Sequence, residues 1–191
     1  AQTRKPCEII VVDGHSRDAT RKIARRYARV ILDKQKGIAD ARNQGAQAAR
    51  GDVVAYTDAD SVSPKDWIEK IEKNMKGSIA ISGPLKAAEG GLKPKLTLLV
   101  WTRLLFRATG LFNYPCFCGP NMAFVRKELL RHKFRINVIE DFDIGNRMRK
   151  YGKVKYVTNM FVWTSPRRYG RGFHRMAFSK AAGPLVACAV S

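Results

Sequence analysis

Two short apolar runs, each closed by aspartate, constrain this chain more than any other feature. Glu8-Ile9-Ile10-Val11-Val12-Asp13 stands between Pro6 and Gly14, and Val53-Val54-Ala55-Tyr56-Thr57 runs into Asp58-Ala59-Asp60. Continuous runs of β-formers this short read as strands buried on both faces. Between them, Ser16 to Thr20 supplies caps for a basic helix over about Ala19 to Ala28, and Val30-Ile31-Leu32 reads as a short strand. An Ala-rich helix follows from Ile38 to Ala49, with Gly51 placed for its C-cap. Ser63-Pro64-Lys65-Asp66 supplies an N-cap, a first-turn proline and an acid, and predicts a helix to about Met75 before a strand at Ser78 to Ser82. Strands and helices alternating at this spacing predict an α/β fold with a mostly parallel sheet flanked by helices. Ligands of such sheets bind beyond the carboxyl ends of the strands, which is where Asp13, Asp58 and Asp60 fall.

The second half is less regular. Arg126 to His132 predicts a short helix, Ile139 to Tyr151 a longer one closed by Gly152, and Lys153 to Val157 and Phe161 to Trp163 predict strands. A chain of 191 residues suits one domain. We place that domain at residues 1–165, followed by a basic segment at 166–191 that ends in an apolar stretch and leads toward a membrane region. The chain lacks an initiator Met, and the expectation is a fragment with pieces missing at both ends.

Hydrophobic residues make up 45% of the chain, which excludes wholesale disorder. Lys and Arg number 36 against 16 Asp and Glu, a formal charge of +20. That balance calls for an anionic partner: nucleic acid, an anionic membrane face or a phosphorylated substrate. The four cysteines, Cys7, Cys116, Cys118 and Cys188, show no zinc-site spacing and read as thiols of a reducing compartment. Neither a signal peptide nor an apolar run long enough to span a bilayer is visible.

Several constellations carry chemistry. Asp58 and Asp60 can share one hard divalent cation, Mn²⁺ or Mg²⁺, whose shell is completed by phosphates and water, or they line a solvated turn. Asp13 fits a carboxylate that accepts hydrogen bonds from a base or ribose, and equally an Asx-turn. Glu140, Asp141 and Asp143 suit a helix N-terminus; Asp141 also suits a general base. Gly119-Pro120-Asn121 reads as a tight loop, with Asn121 able to hold a polar ligand. Arg167, Arg168 and Arg171, with His174 and Arg175, form a cationic run that suits diphosphate oxygens or a solvated tail.

Taken in order, EIIVVDGHSRDAT, GIADARNQGAQAARGD, VVAYTDAD, GPNMAFVRK, IEDFDIGNRMRKYG and TSPRRYGR resemble the inverting GT-A glycosyltransferases of family two, from about residue 1 to about 175. The resemblance implies a Rossmann-like GT-A sheet. It implies that Asp13 contacts the nucleotide base and that Arg42 and Asn43, at the "ARN" helix start, face the nucleotide. It assigns Asp58 and Asp60 to metal and diphosphate, with Asp58 also on the nucleotide side. Gly119, Asn121 and Glu140 then line the sugar and acceptor pocket, Asp141 is the catalytic base, and Arg167, Arg168 and Arg171 close over the diphosphate or an acceptor phosphate. Family members carry a strand and helix upstream of Gln2-Thr3-Arg4-Lys5-Pro6, so the first strand is expected to be missing here.

The expected function is metal-dependent transfer of a sugar from a UDP or GDP sugar, with inversion, to a lipid-linked, phosphate or saccharide acceptor. The rival is a basic α/β protein that binds nucleic acid without catalysis. It leaves Asp58, Asp60, Glu140 and Asp141 unexplained, and no nucleic-acid module is present, so no nucleic-acid partner is expected. A nucleotidyltransferase lacks a Gly-rich phosphate signature near the first strand. The run from Leu92 to Phe112 sets Leu98, Leu99, Trp101, Leu105 and Phe106 among Arg103 and Arg107, which suits contact with a membrane surface or a core helix. A cytoplasmic protein, peripheral to or anchored at the inner membrane face, is the expected setting.

Overall fold

The computed structural model describes residues 2–88, 96, 117–135, 139–165 and 185–190. The expected Leu92–Phe112 segment, apart from Leu96, lies outside these residues, as do Arg167, Arg168 and Arg171.

The elements in chain order are β1 (Glu8–Asp13), α1 (Thr20–Ala24), β2 (Arg29–Leu32), α2 (Ile38–Ala48), β3 (Val53–Asp58), β4 (Ser61–Val62), α3 (Trp67–Met75), β5 (Ala80–Ser82) and β6 (Leu85–Ala87). They continue with β7 (Met122–Val125), α4 (Arg126–His132), α5 (Glu140–Met148), β8 (Val154–Tyr156), β9 (Val162–Thr164) and β10 (Leu185–Val190). The main sheet has the order β2-β1-β10-β3-β7-β5-β8, and a small sheet has the order β4-β9-β6.

Among the described residues, β2, β1, β3, β5 and β8 run one way, and β10 and β7 run against them. The expected mostly parallel α/β sheet is therefore present. Between β1 and β3 lies β10, antiparallel to both, with Leu185 opposite Val12 on one side and Asp58 on the other. Residues 185–190 thus belong to the centre of the sheet, which corrects the division after residue 165: they are apolar, and both edges of β10 find backbone partners there.

Strand alternation divides the core. Ile10, Val12, Val54, Tyr56, Met122, Phe124, Ala187 and Ala189 pack on one side with α2, α4 and α5. Ala55, Ile81 and Ala123 face the other side, under Trp67, Ile68, Ile71 and Met75 of α3. These two layers fix which helices overhang the ligand edge.

Two caps differ from expectation. Helix α3 begins at Trp67 rather than at Pro64, because Pro64 O accepts from Trp67 N at 3.1 Å and Ser63–Asp66 becomes a turn. The α2 C-cap is Ala49 in extended conformation. Gly51 serves close approach instead: a Cβ there would lie 2.9 Å from Val190 O of β10.

Candidate active site

The carboxyl ends of β1, β3 and β5 and the amino end of β7 share one sheet edge. Asp13 closes β1, Asp58 closes β3, and Gly119 to Asn121 lead into β7. Asp13 and Asp58 stand on strands separated only by β10, about 10 Å apart from two strand spacings.

The tightest construction at this edge joins segments far apart in sequence. Arg42, buried on α2 at 2% exposure, pairs with Glu140 at the start of α5. Gly119 N donates to Asp141 Oδ2 at 2.8 Å, and Phe142 N to Asp141 Oδ1 at 2.9 Å. A Cβ on Gly119 would meet the Arg42 guanidinium and come within 3.4 Å of Asp141 Oδ2. Glycine is therefore what lets Arg42 and Asp141 lie side by side over this loop. Tyr56 donates its hydroxyl to Arg42 O at 2.8 Å, and the guanidinium carbon lies 5.6 Å from the centre of the Phe134 ring. Burial holds the Tyr56 hydroxyl protonated far above its ordinary range. Burial also raises the Glu140 carboxyl; Arg42 opposes that rise and the neighbouring Asp141 adds to it. Arg42 Nε is buried and has no hydrogen-bond partner among the described residues. Ile139, just ahead of the helix, adopts φ 52°, a left-handed conformation that β-branched residues rarely take.

The other expected residues divide. Asp13 is fully buried and accepts from Ser16 N, three residues on, at 3.0 Å, with Arg21 Nε at 3.7 Å. Asp58 is half-buried, Asp60 is exposed, and β4 begins at the next residue. Among the described residues no cluster of three or more His, Cys, Asp or Glu side chains stands ready for a metal. Asp58 and Asp60 offer two hard oxygen ligands, which fits a cation that takes most of its shell from phosphate and water.

Asn43 and Asn121 make structural hydrogen bonds around the site. Asn43 pairs through both ends of its amide with the Phe134 backbone, at 2.9 Å each way. Asn121 is fully buried: it accepts from Trp67 Nε1 at 2.9 Å and donates to Pro84 O at 3.0 Å and Met160 O at 2.7 Å. Both amides help hold the loops that frame the site. Sequence reading also missed Asp33, Tyr56 and Phe134. Asp33 follows β2 as Asp13 closes β1, and its N donates to Asp13 O at 2.9 Å. That acid after a short strand was the available signal.

Comparison with known proteins agrees with this architecture. The family described as Glycosyl transferase family 2 matches residues 1–133. An undecaprenyl-phosphate 4-deoxy-4-formamido-L-arabinose transferase of Pectobacterium carotovorum is 27% identical over 180 residues, covering 81% of this chain and 54% of that protein. The putative glycosyltransferase EpsH of Bacillus subtilis is 40% identical over 74 residues, 36% of this chain and 20% of that one. This chain spans between a fifth and about half the length of such relatives. Among solved structures, glucosyl-3-phosphoglycerate synthase of Mycobacterium tuberculosis, crystallised with Mn²⁺, UDP and glucosyl-3-phosphoglycerate, superposes with a TM-score of 0.57 at 20% identity, covering 81% of this chain and 60% of that one. Staphylococcus aureus TarS gives a TM-score of 0.57 at 17% identity, covering 83% of this chain and 51% of that one. The fold is of the GT-A type, and the chain belongs to glycosyl transferase family 2.

Proposed function

We propose that this chain carries the catalytic domain of a sugar transferase, drawing on a UDP or GDP sugar and delivering to a lipid-linked, phosphate or saccharide acceptor with inversion. The observation that carries the reading is the join of Arg42, Gly119, Glu140 and Asp141 at the sheet edge that also bears Asp58 and Asp60. It is supported by the family, by relatives named as transferases, and by GT-A neighbours crystallised with UDP and Mn²⁺.

Asp58 and Asp60 are the residues that would hold Mn²⁺ or Mg²⁺, which neutralises diphosphate charge and improves the leaving group. Asp141 takes the proton of an acceptor hydroxyl as its oxygen bonds to the anomeric carbon and the bond to the diphosphate oxygen breaks. The Gly119 N–H fixes Asp141 Oδ2 and leaves the carboxylate free lone pairs for that proton. A phosphate acceptor is already ionised; Asp141 then orients groups instead of accepting a proton. Arg42 acts through Glu140, holding the α5 terminus against the Gly119 loop. Asp13 is assigned to the base, and Arg167, Arg168 and Arg171 to the diphosphate or an acceptor phosphate; both assignments rest on the sequence pattern. A cytoplasmic position against the inner membrane face suits the +20 charge, and no helix among the described residues is long and apolar enough to cross a membrane.

A donor screen tests the reading. UDP, GDP and dTDP sugars, each with Mn²⁺ or Mg²⁺, are offered to the protein in thermal-shift and turnover assays. One nucleotide series should raise the melting temperature in a cation-dependent way. Stabilisation by RNA or DNA alone would sink the transferase reading.

A further inference from the structure

Helix α1 turns its large apolar side chains outward. Its winding continues past Ala24, with Tyr27 N donating to Ala24 O at 3.0 Å and Ala28 N to Ala24 O at 2.9 Å. The small residues Thr20, Ala24 and Ala28 are half-buried, whereas Ile23 is 54% and Tyr27 75% exposed. Four residues apart, Ile23 and Tyr27 share one side. Leu32, at the end of β2, is 49% exposed, and β2 is the outermost strand of the sheet.

Cations flank Ile23 and Tyr27 along the chain. Residues 17–29 contain Arg17, Arg21, Lys22, Arg25, Arg26 and Arg29 against the single acid Asp18. Arg21 leans on Asp13 at 3.7 Å and Arg29 pairs with Glu8 at 3.2 Å. Arg17, Lys22, Arg25 and Arg26 stay exposed. A basic face made only for water or for nucleic-acid phosphates has no use for Ile23 and Leu32. Apolar side chains ringed by long cations suit a bilayer interface, where the former enter the headgroup layer and the latter reach phosphates.

We infer that the α1–β2 edge docks on an anionic lipid surface, with Ile23, Tyr27 and Leu32 inserted and Arg17, Lys22, Arg25 and Arg26 on the headgroup phosphates. This docking stands independently of the transfer chemistry and involves none of the residues assigned to it.

The test is vesicle flotation with phosphatidylcholine alone and with phosphatidylglycerol added, at low and high salt. Three variants are compared: Ile23→Ser with Tyr27→Ser; Lys22→Glu with Arg25→Glu and Arg26→Glu; and Tyr27→Phe as a conservative control. All sites are exposed, and the melting temperature checks each fold. The wild type and Tyr27→Phe should float with anionic vesicles and little with neutral ones. Each multiple variant should lose roughly tenfold or more in lipid affinity, since several cations and two insertions act together. Three results overturn the proposal: no flotation of the wild type, flotation unchanged in either multiple variant, or loss in the charge-reversed variant alone. The last would make the surface a general polyanion site, nucleic acid included. If the serine variant melts early, Ile23→Ala with Tyr27→Ala decides on the same criterion.

Discussion

Asp141 and Glu140 are neighbours with different tasks, and their surroundings separate them. Asp141 is partly exposed and bonded to two backbone N–H groups, whereas Glu140 is buried against Arg42. Asp141→Asn keeps the shape and removes the proposed base. With a hydroxyl acceptor, turnover should fall roughly 10²–10⁴-fold while donor affinity stays close to wild type; a much smaller loss in steady-state kinetics would favour a phosphate acceptor. Glu140 has a pH signature. Burial sets its folded value above the unfolded one, so its contribution to stability is present below the unfolded value and is lost as pH rises through the raised value. The melting-temperature deficit of Glu140→Gln relative to wild type should therefore shrink as pH rises from about 4.3. A deficit that widens would mean that the fold prefers the carboxylate. Asp13, Asp58, Asp60 and Asp141 were legible in the sequence as site candidates because an acid at a strand end or helix start is a local pattern. The Arg42–Glu140 pair was not, because its partners lie 98 residues apart and no local pattern couples them.

At the scale of elements, buried amides decide how the site is framed. Asn121 ties α3, the Pro84 turn and Met160 to the start of β7. Asn121→Ala would leave buried donors and acceptors without partners, and each costs about 1–3 kcal/mol. Thermal unfolding should show a loss of about 3 kcal/mol or more, and activity should fall only as folded protein is lost. The local elements were readable for the same reason that they form: α2 is rich in Ala, α3 repeats its apolar residues at helical spacing, and β1 and β3 are dense in Val and Ile. The place of β10 was not readable. Its residues show no polar alternation, and pairing with β1 and β3 joins segments from opposite ends of the chain. Ala187 is buried where a Cβ on Gly45 would come within 3.3 Å of it. Ala187→Leu should therefore cost about 1–3 kcal/mol by overpacking. An unchanged unfolding midpoint would place residues 185–190 elsewhere.

For the whole molecule, the sheet gathers strand-end acids on one edge of a chain whose charge is +20. Acids there oppose an anionic donor unless a cation stands between them. That requirement links the charge pattern, the GT-A sheet and the proposed chemistry, and under the proposed function nucleotide binding should depend on metal through Asp58 and Asp60. The most direct measurement is titration calorimetry of UDP and GDP with and without Mn²⁺, on the wild type and on Asp58→Ala with Asp60→Ala. Exposed and half-exposed strand-end carboxylates contribute little to folding, so the double variant should keep its melting temperature. The wild type should bind one nucleotide only when Mn²⁺ is present, and the double variant should lose the Mn²⁺-dependent part. Equal Mn²⁺-dependent affinity in both proteins would contradict this.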